Sequence, residues 1–192
     1  MPDINLTYTT TFDRIFNDAA RKLTELVSGS NKLTRKGYWN RLKINRLIKV
    51  FDTCLQVNPR HWESMFSLGK AHQYLGAHTL ALTWLAKALN IQPNNPYLLL
   101  EISIQQVYLN DISQAILYTE KALQELPGDP VILGNLAMNY LVAGKDQEAI
   151  ATIATALSIL PENQINLDIQ AIITAVIAGK RHRPICQELI DR

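Results

Sequence analysis

Residues Leu89–Leu98 read LNIQPNNPYL and place two prolines three residues apart, directly after a run with helical periodicity. The same break recurs at Pro59, Pro93, Pro127 and Pro161, a constant step of 34 residues. A fixed period of that length marks a chain built from copies of one supersecondary unit. Proline fits just past a helix end, where the chain cannot continue helical. Pro96 and Pro130 follow Asn95 and Asp129, which predicts a capping side chain ahead of proline at the first helical position.

Working outward from these joints gives three aligned segments, 62–95, 96–129 and 130–163, each reading as two helices and a terminator. Ala81, Leu85 and Ala88 recur as Ala115, Thr119 and Ala122, then as Ala149, Ile153 and Ala156. Gly69, Ser103, Ala137 and Ala171 are the matching small residues of each first helix. Short side chains at such positions let two antiparallel helices approach closely. Gly76, Asn110 and Gly144 mark the turns inside each pair, where a left-handed backbone costs Gly little and Asn is tolerant.

These residues resemble the tetratricopeptide repeat family across 62–163, with Leu68–Gly69, Ala81, Ala88 and Pro93 and their counterparts in register. The family's usual aromatic residues are only partly kept, with Met65, Leu99 and Leu133 standing where a Trp is common. The resemblance implies an all-α, right-handed superhelical solenoid of antiparallel helix pairs with about eight helices. Both flanks read as degenerate copies. Residues 1–61 hold a helix over 11–27, with Phe12, Ile15, Phe16, Ala19, Leu23 and Leu26 at helical spacing. A polar loop over 28–37 follows, then a helix packing through Leu47, Phe51 and Cys54. Residues 164–192 hold one more first helix, broken by KRHRP, and a short closing helix.

Composition restricts the function classes. The 192 residues are 47% hydrophobic and 19% charged, which suits a folded soluble chain. No apolar run approaches the roughly 18 residues of a membrane span, the start lacks a secretory pattern, and two cysteines are too few for a disulfide framework. The expected location is cytoplasmic. Residues 1–60 carry eleven Lys/Arg against five Asp/Glu, whereas 61–192 carry eight against twelve. The basic excess lies in Lys32, Arg35, Lys36, Arg41, Lys43, Arg46 and Lys49, with no acidic residue between Glu25 and Asp52.

No HExxH, CxxC, phosphate-cradling Gly-rich loop or GxSxG is present, so no catalytic, cofactor or metal site is expected. His72 and Cys54 read as packing residues. Cys186, near Arg181, His182 and Arg183, is the one thiol whose neighbours would lower its pKa.

The resemblance implies instead a non-enzymatic protein-binding scaffold whose first helices line a concave groove. Carried over position by position, the groove comprises Phe66, Lys70, Tyr74, Tyr97, Leu100, Ile104, Val107, Tyr108, Val131, Met138, Leu141, Val142 and Ile172. Gly134, Ile165, Asp168, Ala175 and Val176 fall at equivalent places. The positions with which some members clamp a chaperone's C-terminal carboxylate hold Phe66, Lys70, Glu101, Val131 and Asn135. Glu101 would repel a carboxylate and Val131 cannot pair one, which argues against that ligand. An apolar groove suits a hydrophobic or helical protein segment. In groove character it is similar to tetratricopeptide chaperones of secretion systems. The alternatives are a regulatory or nucleic-acid module using the basic 32–49 stretch, with Tyr38 and Trp39 for stacking, and a self-associating subunit whose groove is filled. An acidic protein surface is a further candidate partner for the basic stretch.

Overall fold

The computed structural model describes the backbone of residues 4–27 and 35–186, and the side chains of 11–27 and 39–186. Among the described residues there are nine helices and no strand. They are α1 (Ile4–Val27), α2 (Arg35–Val57), α3 (Trp62–Tyr74), α4 (His78–Ile91), α5 (Pro96–Tyr108), α6 (Ile112–Glu125), α7 (Pro130–Val142), α8 (Asp146–Ile159) and α9 (Gln164–Ile177). They fall into two compact units, Met1–Gln92 and Pro93–Arg192.

Each joint follows from side-chain chemistry near it in sequence. Asn95 Oδ1 accepts from the backbone N–H of Tyr97 at 3.0 Å and of Leu98 at 3.2 Å. Asp129 does the same for Val131 and Ile132, both at 2.9 Å, and Asn163 accepts from Asn166 N at 3.1 Å. These bonds satisfy donors that the helix start leaves without intrahelical partners. Pro96 and Pro130 occupy the first helical position, where a missing N–H costs nothing. At the other end, Gln92, Leu126 and Leu160 leave the helical region immediately before their prolines, as the proline ring demands of the preceding residue.

The turn that ends each first helix is the same closure four times. Gly76 N–H donates to Gln73 O at 2.9 Å and Ala77 N–H to His72 O at 2.9 Å. Asn110 and Asp111, Gly144 and Lys145, and Gly179 and Lys180 repeat the pair of bonds. Residues 76, 110, 144 and 179 have φ of 80°, 62°, 77° and 68°, the left-handed conformation this closure requires.

In the N-terminal unit, Ala19, Leu23, Ile44, Leu47, Phe51, Leu68, Ala71 and Tyr74 form the core, with Phe16 and Trp84 packed against it. In the C-terminal unit the main core combines Leu133, Ala137, Met138 and Leu141 of α7, Ala149, Ile153 and Ala156 of α8, and Ile172 and Ile173 of α9. The nine aligned positions 81, 85, 88, 115, 119, 122, 149, 153 and 156 are all buried, as the repeat predicts.

Four expectations are corrected. Helix α2 starts at Arg35, so Arg35, Lys36 and Gly37 are helical instead of ending a loop; Arg and Lys are good helix formers. Helix α1 starts at Ile4, a full two turns before residue 11. Ile15 is exposed, because α1 buries the stripe through Phe16, Ala19 and Leu23 and leaves Ile15 beside it. Ala171 is exposed as well, since no second helix closes on α9 among the described residues. The expected closing helix at the C-terminus lies, from residue 187 on, outside the described residues, as does Lys32.

Candidate functional site

Helices α5, α7 and α9 each present their second residue outward. Tyr97 on α5, Val131 on α7 and Ile165 on α9 stand 34 residues apart, and they are 61%, 54% and 71% exposed. Tyr97 N–H and Val131 N–H are themselves held by the caps Asn95 and Asp129, and at Ile165 the cap Asn163 holds the next N–H, that of Asn166. The placement is thus rigid and repeated, and the side chains are apolar. Ile104, Tyr108, Asn135 and Val142 are half-buried on the same first helices.

Deeper positions have a different role. Leu100, Val107, Met138, Leu141 and Ile172 are buried. Met138, Leu141 and Ile172 belong to the core shared by α7 and α9, because α9 lies against α7 and covers them. Gly134 is closed off similarly: a Cβ there would stand 2.3 Å from Asn166 Oδ1, and Asn166 Nδ2 donates to Pro130 O at 3.0 Å. Val107 and Val142 are covered by the chain's own C-terminal segment, where Cys186 packs with Val107 and Ala115 beside Ile112 and Val142. In the N-terminal unit, Phe66 and Lys70 are half-buried and Tyr74 is in the core.

The segment carrying Cys186 is tied down by Arg183. Its Nη1 donates to Asp146 Oδ1 at 2.6 Å and its Nη2 to Asp146 Oδ2 at 3.0 Å, while Nη1 also reaches Leu141 O. The hydrogen bonds from Arg183 hold the Asp146 carboxyl below the ordinary carboxylate range. Arg183 is therefore not a partner of the Cys186 thiol. Burial pushes that thiol up, which reverses the activation its basic neighbours suggested. Burial likewise raises Cys54 and lowers His72.

Of the basic residues in α2, Arg41 donates from Nη2 to Leu75 O at 3.1 Å, closing the end of α3. Lys43, Arg46 and Lys49 are exposed. The side chains of Arg35 and Lys36 lie outside the described residues, as do all atoms of Lys32.

His61 was not singled out by motif, yet it holds α3 in place. Its Nδ1 accepts from Ser64 N–H at 3.3 Å, and its ring stands edge-on to Phe16 and Phe12, with centroids 4.6 and 4.9 Å away. Residues 61, 95, 129 and 163 are all caps; the 34-residue step was the available signal.

Family models described as tetratricopeptide repeat match residues 63–95 and 108–168. Comparison with the curated proteins found no match. Among solved structures, a thermophilic TPR protein in Thermus thermophilus is similar at 22% identity, covering 91% of this chain and 95% of that one, with a TM-score of 0.60. YrrB, a TPR protein with an unusual peptide-binding site, is 16% identical over 73% of this chain and 72% of its own, with a TM-score of 0.61. The first TPR of Spaghetti, bound to an HSP90 peptide, is 16% identical over 61% and 93%, with a TM-score of 0.57. At these identities the likeness is one of fold.

Proposed function

The chain belongs to the tetratricopeptide repeat family, and from that premise we propose that it is a non-enzymatic interaction module holding a hydrophobic or helical protein segment on its first helices. The observation that carries this reading is the exposed apolar series Tyr97, Val131 and Ile165. Three large apolar groups at one repeat position, each on a capped helix start, form a regular row of anchors. An apolar anchor of this size contributes about 1.5–3 kcal/mol of gross burial when fully covered, so the row suits a partner with apolar side chains at a regular interval.

Peptide binding by YrrB and by the Spaghetti domain, as described for those proteins, supports a peptide partner here. The acidic-tail ligand is disfavoured by the residues themselves. Val131 offers no charge, Asn135 Nδ2 already donates to Val131 O at 2.8 Å, and Glu101 adds a negative group. A chaperone-like use of the face follows if the held segment is one that would otherwise aggregate.

The test is capture of amphipathic and extended apolar peptides from an array by the full chain. Replacement of Tyr97, Val131 and Ile165 with Glu leaves the core untouched, because all three are exposed. Capture should be lost while the helical circular-dichroism signal and melting temperature are retained. Equal capture by the triple variant would refute the reading. Met138→Asp is a poor test, since Met138 is buried in the core of α7 and α9.

A further inference from the structure

A cleft of about 510 Å³ opens between α1 and α2. Phe12 and Ile15 line it from α1, and Val50, Thr53, Cys54 and Val57 from α2. Ile15 and Val57 are 48% and 69% exposed, so two branched aliphatic groups stand largely in water at its rim.

Val50, Thr53 and Val57 are three and four residues apart and share one stripe of α2. Toward the start of α2 the same stripe runs through Arg46, Lys43 and Trp39, all exposed. At ~1.5 Å per residue, Arg46 and Lys43 stand roughly 6 and 10 Å from Val50, and the stripe from Trp39 to Val57 is about 27 Å long. Among the described residues no carboxylate pairs with Lys43, Arg46 or the neighbouring Lys49. Across the cleft, two carboxylates of α1, Asp18 and Glu25, are paired within that helix. Asp18 accepts from Lys22 at 2.5 Å and from Arg21 at 2.9 Å, and Glu25 accepts from Arg21 at 2.6 Å. An apolar slot therefore runs into a cationic stripe with which no described carboxylate is ion-paired.

We infer that this cleft docks one face of an acidic amphipathic helix from a protein partner. Its apolar side chains, one turn apart, sit against Ile15, Val50 and Val57. Its carboxylates, on the next two turns, meet Arg46 and Lys43. The geometry favours a helix because a helix pair presents a groove that a third helix fills at about 8–10 Å axis to axis. Arg46 and Lys43 also recur at helical spacing, which matches carboxylates three or four residues apart on a parallel face. A nucleic-acid backbone would use the cations and gain nothing from Ile15 or Val57. This site lies wholly in the N-terminal unit and does not depend on the row Tyr97, Val131 and Ile165.

The experiment measures fluorescence anisotropy of a labelled helical peptide with the full-length chain. The peptide carries Leu on two successive turns and Glu on the next two; its sister carries Lys in place of Glu. The Glu peptide should bind, and binding should weaken with added salt. In the Lys43→Glu/Arg46→Glu variant its affinity should fall about tenfold or more, and the Lys peptide should bind instead. Val57→Glu, at an exposed position, should also weaken the Glu peptide without changing the melting temperature. No binding of the Glu peptide, equal binding of the two peptides, or indifference to Val57→Glu would overturn the inference. So would tighter binding of an oligonucleotide or of anionic vesicles through the same two cations, unaffected by Val57→Glu.

Discussion

Gly69 on α3 lies so close to Leu85 on α4 that a Cβ at residue 69 would come within 2.7 Å of Leu85 Cγ. Leu85 is fully buried and cannot swing aside. Gly69→Ala gains about 1 kcal/mol of helix propensity, but overpacking a buried contact costs about 1–3 kcal/mol. The expected net effect is a lower melting temperature. Adding Leu85→Ala should destabilise the Gly69→Ala chain by less than it destabilises the parent, a coupling that a thermal double-mutant cycle reads directly.

The matched position in the next hairpin is polar. Ser103 Oγ and Thr119 Oγ1 are 2.5 Å apart and buried. Thr119 donates to Ala115 O at 2.8 Å and accepts from Asn139 Nδ2 at 3.1 Å, so the remaining hydrogen comes from Ser103. Thr119→Val keeps the shape and strands both donors, at a cost of about 1–3 kcal/mol for each buried group left unpaired. Thr119→Val with Ser103→Ala should recover part of that loss in chemical denaturation. A double variant no more stable than Thr119→Val alone would refute the shared hydrogen bond.

Asp146 and Arg183 give the C-terminal segment a pH dependence. The carboxyl of Asp146 is lowered in the folded chain, so its contribution is complete above the unfolded value of about 3.9 and is lost as pH falls through the lower folded value. Both side chains are about one-third exposed, which keeps the contribution modest. Cys186 reports the state of the segment. In a Cys54→Ala background, labelling by a pyridyl disulfide should accelerate several-fold below that range. Arg183→Gln should accelerate it at neutral pH and flatten the profile. An unchanged rate in Arg183→Gln would show that the ion pair does not hold the segment.

The scaffold was legible because its signals are local. Pro93, Asn95 and Gly76 act on backbone within a few residues, so the repeat step located the caps, turns and close contacts. His61 escaped because histidine is an unusual cap, and its service there depends on Phe12 and Phe16 from a distant helix. The face for a partner was only half legible. Repeat position says which way Met138 or Leu141 points, but not that α9 comes to lie over them. Nor does it say that Cys186 returns to cover Val107. Ile15 shows the reverse error: helical spacing marked it as core, and its neighbours left it at the edge of a cleft.

The N-caps Asn95, Asp129 and Asn163 and the turns at 76, 110 and 144 are closed by hydrogen bonds between residues at most five apart. Among the described residues, no joint borrows an atom from the block beyond its neighbour. A 34-residue block can therefore be copied or removed without breaking the grammar of the joints on either side. Such a chain can change its length by whole words, and drift in the exposed residues at 97, 131 and 165 can proceed without rewriting the sentence that holds them.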